Sequence, residues 1–126
     1  MSLKNLMIIK AIVCICFAPI LLFVPEQLLN MLGAAYSAGA ALTSREYGAA
    51  LIGNFVLAWF ARNAELSVAR RAIILDLFLY DAAALVATLL LQLSGGLSML
   101  GWGVVIIYLF FSIGFGYQFF RGAKIS

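Results

Sequence analysis

The chain contains no histidine, and only 10% of its 126 residues are charged. Without histidine there is no common haem or zinc site and no imidazole acid–base pair. Cysteine is scarce as well. Cys14 and Cys16 stand two apart inside an apolar run, so on a helix they point about 200° from each other. They are too few for a disulfide framework and are expected as small core residues. No Cys-x-x-Cys, phosphate loop or nucleophile elbow occurs. No basic run is interleaved with aromatics, which argues against a nucleic-acid partner. The expectation is a protein that is not an enzyme and has neither metal nor cofactor.

What the chain does have is apolar residues, 66% of the total. A soluble domain is nearer half apolar and a quarter charged, so the solvent for most of this surface is expected to be a lipid bilayer. Four apolar runs predict spans over residues 6–24, 44–62, 70–93 and 97–120. The fold expected is therefore all-α: a four-helix transmembrane bundle, one integral-membrane domain covering 1–126. Lys4 and Lys10 with the run 11–24 imitate a signal peptide, but no small-x-small cleavage site follows, and a retained first span is expected. Lys10 is expected to snorkel to the near surface. Pro25 ends that span, and Pro25-Glu26-Gln27 reads as a helix restart, with an acid in the first turn and Gly33 at the exit. This predicts a short interfacial helix over 25–33, with Leu28, Leu29 and Leu32 on one face. Residues 34–42 are expected as a loop on the bundle. Thr43 and Glu46 fit a capping box opening the second span. Residues 63–67 read as a polar hairpin and Ser94-Gly95-Gly96 as a turn.

The distribution of positive charge predicts the orientation. Lys4, Lys10, Arg62, Arg70, Arg71, Arg121 and Lys124 fall at one end of the four runs, and only Arg45 at the other. Positive residues in short loops stay cytoplasmic, so both termini and the middle hairpin are expected there. Trp59 and Tyr117 then lie near the cytoplasmic interface and Trp102 and Tyr36 near the outer one, as an aromatic belt requires.

Charged residues within spans are costly and draw attention to function. At about 1.5 Å per residue from Arg71, Asp76 lies about 7 Å in and Asp81 about 15 Å in, near the bilayer centre. Asn54 lies about 12 Å from Arg62 on the same rise. Asp81, Thr88 and Gln92 share one helix face; Asp76 and Tyr80 share another. Asp76, Asp81, Asn54 and Tyr80 thus form a candidate intramembrane polar site. Two readings of Asp81 stand side by side. In one it is a neutral structural donor bonded to Asn54 or a facing backbone group. In the other it belongs to a proton or cation relay, or to the polar floor of a small-molecule cavity. Asp76 is expected to pair with Arg62 snorkelling from the next helix.

A second candidate cluster, Glu26, Arg45 and Glu46, is expected at the outer face. Glu26 and Arg45 would clamp the long outer connection as an ion pair, or Arg45 would take a lipid head group or a substrate carboxylate. Arg45, Ala49 and Gly53 share a face, which offers a small-residue groove for helix packing. Ser112 and Gly116, one turn beyond Tyr108, form a small-xxx-small pair with the same expectation.

Small multidrug exporters and fluoride channels are similar to this chain only in size. The exporters carry an essential glutamate in the first span, which has no acid here, and the channels' Thr/Ser/Phe filter pattern is missing. The segments Pro25-Glu26, Arg45-Glu46-Tyr47-Gly48-Ala49-Ala50, Trp59-Phe60-Ala61-Arg62, Ala69-Arg70-Arg71-Ala72, Gln92-Leu93-Ser94-Gly95 and Gly101-Trp102 resemble small, uncharacterised four-span bacterial membrane proteins. The resemblance covers most of the chain and implies a bacterial inner-membrane protein, with no activity to carry over. The leading functional expectation is an accessory or scaffold subunit packed against a larger membrane complex. A small dimeric transporter or channel using Asp81 and Asn54 comes next, and lipid or quinone binding near Arg45 third.

Overall fold

A computed structural model describes residues 1–121, and all regular structure in it is helical. Five helices follow in order: α1 (Leu3–Phe23), α2 (Pro25–Met31), α3 (Ala38–Ala61), α4 (Val68–Leu93) and α5 (Gly101–Arg121). Three of them, α1, α4 and α5, are long and apolar enough to cross a membrane. α3 is also long, at 24 residues, but Thr43, Ser44, Arg45, Glu46 and Asn54 make it more polar. Lys124 lies outside the described residues.

Serine side chains open three of the helices. Ser2, Ser37 and Ser67 each accept, through the side-chain oxygen, the backbone N–H three residues on, at 3.2, 3.1 and 3.1 Å. This satisfies one of the donors every helix start leaves free. The Thr43 capping box does not form. α3 starts at Ala38 behind the Ser37 cap, so 38–42 are helix rather than loop. Thr43 is already inside the helix, its hydroxyl donating to the Gly39 carbonyl at 2.9 Å. An equivalent cap upstream, followed by alanines that favour helix, explains the earlier start. α5 begins later than expected, at Gly101, because residues 97–100 form a turn closed by the Gly101 N–H on the Ser98 carbonyl at 2.9 Å.

The short α2 forms as expected. Pro25 supplies the first position, Glu26 the first-turn acid, and Gly33 the left-handed exit at φ 75°. It is tied to the α4–α5 turn from the side: the Ser98 N–H donates to the Leu32 carbonyl at 2.6 Å and the Ser98 hydroxyl to the Met31 carbonyl at 2.8 Å.

α1 packs along α3 and α4 along α5, and the two pairs meet mainly through α1 against α5. In the first pair the helices come close at Gly48, where a Cβ would stand 3.0 Å from the Ala18 carbonyl oxygen. In the second, α5 comes close to α4 at Gly116, where a Cβ would stand 2.9 Å from the Phe78 ring. Ser112 and Gly116 are both buried, so their small-residue face is used inside the bundle. Gly53 is not: it is exposed, and a Cβ there would meet nothing within 4 Å. The expected groove of Arg45, Ala49 and Gly53 faces away from the bundle, and Gly48, on another face of α3, makes the contact instead.

The core has two parts. One gathers Leu6, Met7, Ala11, Ala58, Leu77, Phe111 and Phe115 toward the end that carries the N-terminus. The other gathers Cys14, Ala18, Leu21 and Leu51 toward α2. Lys10 stands on α1 between them.

Candidate functional site

α1 turns one stripe inward: Leu3, Leu6, Met7, Lys10, Ala11, Cys14, Ala18 and Leu21 are its buried residues. Lys10 belongs to that stripe and cannot snorkel; only 2% of it is exposed. Its ammonium donates to Asp81 Oδ1 at 2.6 Å, from helix α1 to the middle of α4. Asp81 is fully buried, and its partner is therefore Lys10 rather than Asn54. The ammonium also lies 5.0 Å from the Tyr80 ring centre and 4.7 Å from that of Phe111. Both contacts favour a cation. Two charges removed from water are tolerated when each is the other's partner, whereas either alone would cost several kcal/mol.

Three buried polar atoms of the expected site have no hydrogen-bond partner: Asp81 Oδ2, the Tyr80 hydroxyl and the Asn54 amide nitrogen. The Tyr47 and Tyr108 hydroxyls bond to each other, from α3 to α5. Tyr47 also stacks on Tyr80, centroids 6.5 Å apart and planes 13° from parallel. Of the expected intramembrane site, Asp81, Asn54 and Tyr80 are thus turned into the bundle, while Asp76 is exposed on α4 and does not join them. Arg62 does not reach back to Asp76. Its guanidinium donates to the Trp59 carbonyl and lies 3.8 Å from the centre of the Trp59 ring.

Next to the pair is a cavity of about 320 Å³. Lys10 and Cys14 of α1, Tyr47 and Leu51 of α3, and Ile107, Tyr108 and Phe111 of α5 form its wall. Leu28 and Leu29 of α2 and Leu32 at its C-cap line one side, with Thr43 and Ser44. Apart from Thr43, Ser44 and the two tyrosines the wall is apolar, and Lys10 is its one charged residue. The leucine face expected on the interfacial helix therefore lies over a cavity, and Ser98 pins the helix in that place.

The outer cluster does not assemble. Glu26, Arg45 and Glu46 are all exposed, and among the described residues the only ion pair is Lys10–Asp81. The clamp would have brought two exposed side chains together with little to gain, since such pairs are worth about 0–1 kcal/mol. Gln92, expected on the Asp81 face, is buried at the far end of α4. There it donates to the Ser98 carbonyl at 3.2 Å and helps hold the turn. Among the described residues no group of three or more Cys, Asp or Glu side chains could hold a metal ion.

Lys10, Tyr47 and Tyr108 are the site residues that the sequence reading did not place. Lys10 had a usable signal: it stands four residues beyond Leu6 and four before Cys14, which puts the three on one face. Because α1 is apolar on every side, nothing in its pattern marked that face as the inner one. No protein-family model matches the chain, and no match is found among curated proteins or solved structures.

Proposed function

We propose that the chain is a multi-pass protein of a bacterial inner membrane that binds a lipid-soluble small molecule in the cavity beneath α2. In this reading α3 is the fourth span. Its 24 residues would extend about 36 Å, beyond the roughly 30 Å of hydrocarbon, and it runs beside α1. Burial of Lys10 removes one residue from the seven cationic positions at the terminal end, leaving six against Arg45 alone, and the bias still favours cytoplasmic termini.

The observation that carries the proposal is a mainly apolar cavity with the buried Lys10 as the one charged residue in its wall. At about 320 Å³ it is at the small end of ligand sites, which run about 300–1,000 Å³. It has room for a ring-sized head group or a short length of chain. The ligand class that fits is an apolar molecule with a hydrogen-bond-accepting head, such as a quinone carbonyl or a fatty-acyl ester. The head would accept from Lys10 and Tyr108, and the body would lie among Val13, Phe17 and Leu51. This shifts the third functional expectation from Arg45 to the interior of the bundle.

The test is mild detergent extraction of the native protein followed by mass spectrometry of what it retains. A quinone or acyl compound in roughly equal amount to protein, lost when Val104→Trp, at a wall residue of α5, fills the cavity, supports the proposal. Protein that carries no such compound and leaves the membrane only within a larger assembly supports the accessory-subunit reading. That reading has one observation of its own: the small-residue face of Arg45, Ala49 and Gly53 is left open by the bundle.

A further inference from the structure

The exposed side of α3 differs from that of α5. On α5 the exposed residues are mainly large and apolar, among them Ile106, Leu109, Phe110 and Ile113. On α3, from position 45 to 53, they are Arg45, Glu46, Ala49, Ala50, Ile52 and Gly53. We infer that this face of α3 is the contact of a two-fold dimer, in which Arg45 of each chain pairs with Glu46 of a second copy. The inference rests on α3 spanning the membrane, but not on the ligand proposed for the cavity under α2.

Helix geometry sets up the pairing. At about 100° per residue, Arg45 and Glu46 flank a strip through Ala49 and Gly53, which stand about 40° and 80° around from Arg45. The buried residues Gly48, Leu51, Asn54, Ala58 and Ala61 lie on the opposite side, so the strip points away from the bundle. When two copies of such a helix run parallel about a two-fold axis, one flank of each meets the other flank of its mate. The flanks here carry opposite charges, and they differ in height by about 1.5 Å. Arg45 therefore meets Glu46 of the second copy, and the symmetry makes the contact twice. Within one chain the two cannot pair, because adjacent helix positions point apart.

Three observations favour this occupant. The first is that among the described residues neither the Arg45 nor the Glu46 side chain has a partner. None of the residues three or four positions from either, 41–43 and 48–50, is charged, so α3 itself offers none. The second is depth. Both stand about 10–12 Å beyond the Ala38 start of α3, where an unpaired charge facing lipid is unfavourable. The third is shape. A Cβ on Gly53 would meet nothing within 4 Å, and small residues such as Ala49 and Gly53 let two backbones approach closely. A partner of different sequence would need its own acid and base at this spacing, whereas a second copy supplies them by symmetry.

The experiment uses the full-length chain lacking Cys14 and Cys16, with Ala49→Cys placing a thiol in the strip. Two differently tagged copies are co-expressed in one bacterial membrane and oxidised, and the disulfide-linked pair carrying both tags is quantified. The wild-type charges should give that pair. R45E in both copies, or E46R in both, sets like charges against each other twice and should lower the yield by about fivefold or more. R45E in one copy with E46R in the other makes both contacts attractive again and should return the yield to within about twofold of wild type. Two misfolded chains could not produce that recovery. Gly53→Leu should lower the yield by obstructing the approach, although in dilute micelles holding one chain each it unfolds like wild type. Absence of a linked pair with the wild-type charges would overturn the inference and leave the face to lipid or to a different protein. Full yield in R45E or E46R alone, or no recovery in the mixture, would also overturn it.

Discussion

Replacing Asp81 with Asn changes one oxygen for a nitrogen and almost no volume, but it leaves the Lys10 ammonium without its counter-ion in the centre of the bundle. Both side chains are essentially excluded from solvent, at 3% and 0% exposure, so neither water nor salt screens the loss. Removing one partner of a buried pair costs about 3–5 kcal/mol, whereas replacing both with apolar groups of similar volume is often neutral or stabilising by about 1–4 kcal/mol. Asp81→Asn and Lys10→Met should therefore each destabilise by about 3 kcal/mol or more. The double variant Lys10→Met/Asp81→Leu should be close to wild type, so the two effects are strongly non-additive. Equilibrium unfolding in mixed detergent micelles on wild type, Lys10→Met, Asp81→Leu and the double variant measures the cycle, with Asp81→Asn alongside. If Asp81 were instead a neutral donor to Asn54, Asp81→Asn would be nearly silent. An Asp81→Asn protein within about 1 kcal/mol of wild type, or single effects that simply add, would refute the pair as the element holding α1 to α4.

Three further outcomes follow from packing and topology. Gly116→Leu drives a side chain into the Phe78 ring, 2.9 Å from the Cβ position, and should destabilise by about 1–3 kcal/mol in the same unfolding assay. Gly53→Leu meets nothing and should stay within about 0.5 kcal/mol of wild type. Ser98→Ala removes the hydroxyl bond to the Met31 carbonyl, worth about 1 kcal/mol, and should speed amide exchange in α2 selectively. In a background lacking Cys14 and Cys16, a cysteine at Ala64 should be shielded from an impermeant thiol reagent in intact cells and one at Ser37 should react. The reverse labelling would overturn the cytoplasmic placement of the termini.

The placement of helices along the chain was more legible in the sequence than the direction each helix face takes. Long apolar runs placed the four long helices, and Pro25, Glu26 and Gly33 placed α2, because each carries a local backbone signal. The Ser94-Gly95-Gly96 turn was legible for the same reason, with Gly95 at φ 81°. Helix starts were less so: Ser37 and Thr43 are both good caps, and only packing decides between them. The largest error concerned Lys10. A lysine near the end of an apolar helix reaches the surface if it faces lipid and pairs inside if it faces the bundle. A helix apolar on every side does not reveal which. Asp81 stood out as an acid inside an apolar run and is buried, but its partner lies 71 residues away in the chain, beyond any local pattern. The Glu26–Arg45 clamp failed for a related reason. Complementary charges at one level of a bundle make a pair possible, and the orientation of each helix decides whether it forms. The cavity beneath α2 left a partial trace, the Leu28, Leu29 and Leu32 face. That pattern is shared by a helix lying on a membrane and a helix covering a pocket.

The most direct measurement is an experimental structure of the protein in a native-lipid nanodisc. The account expects density for an apolar molecule among α1, α2, α3 and α5, its head within hydrogen-bonding distance of Lys10 Nζ while the Lys10–Asp81 pair stays closed. A cavity filled by the protein's own side chains, or occupied only by water, would contradict it.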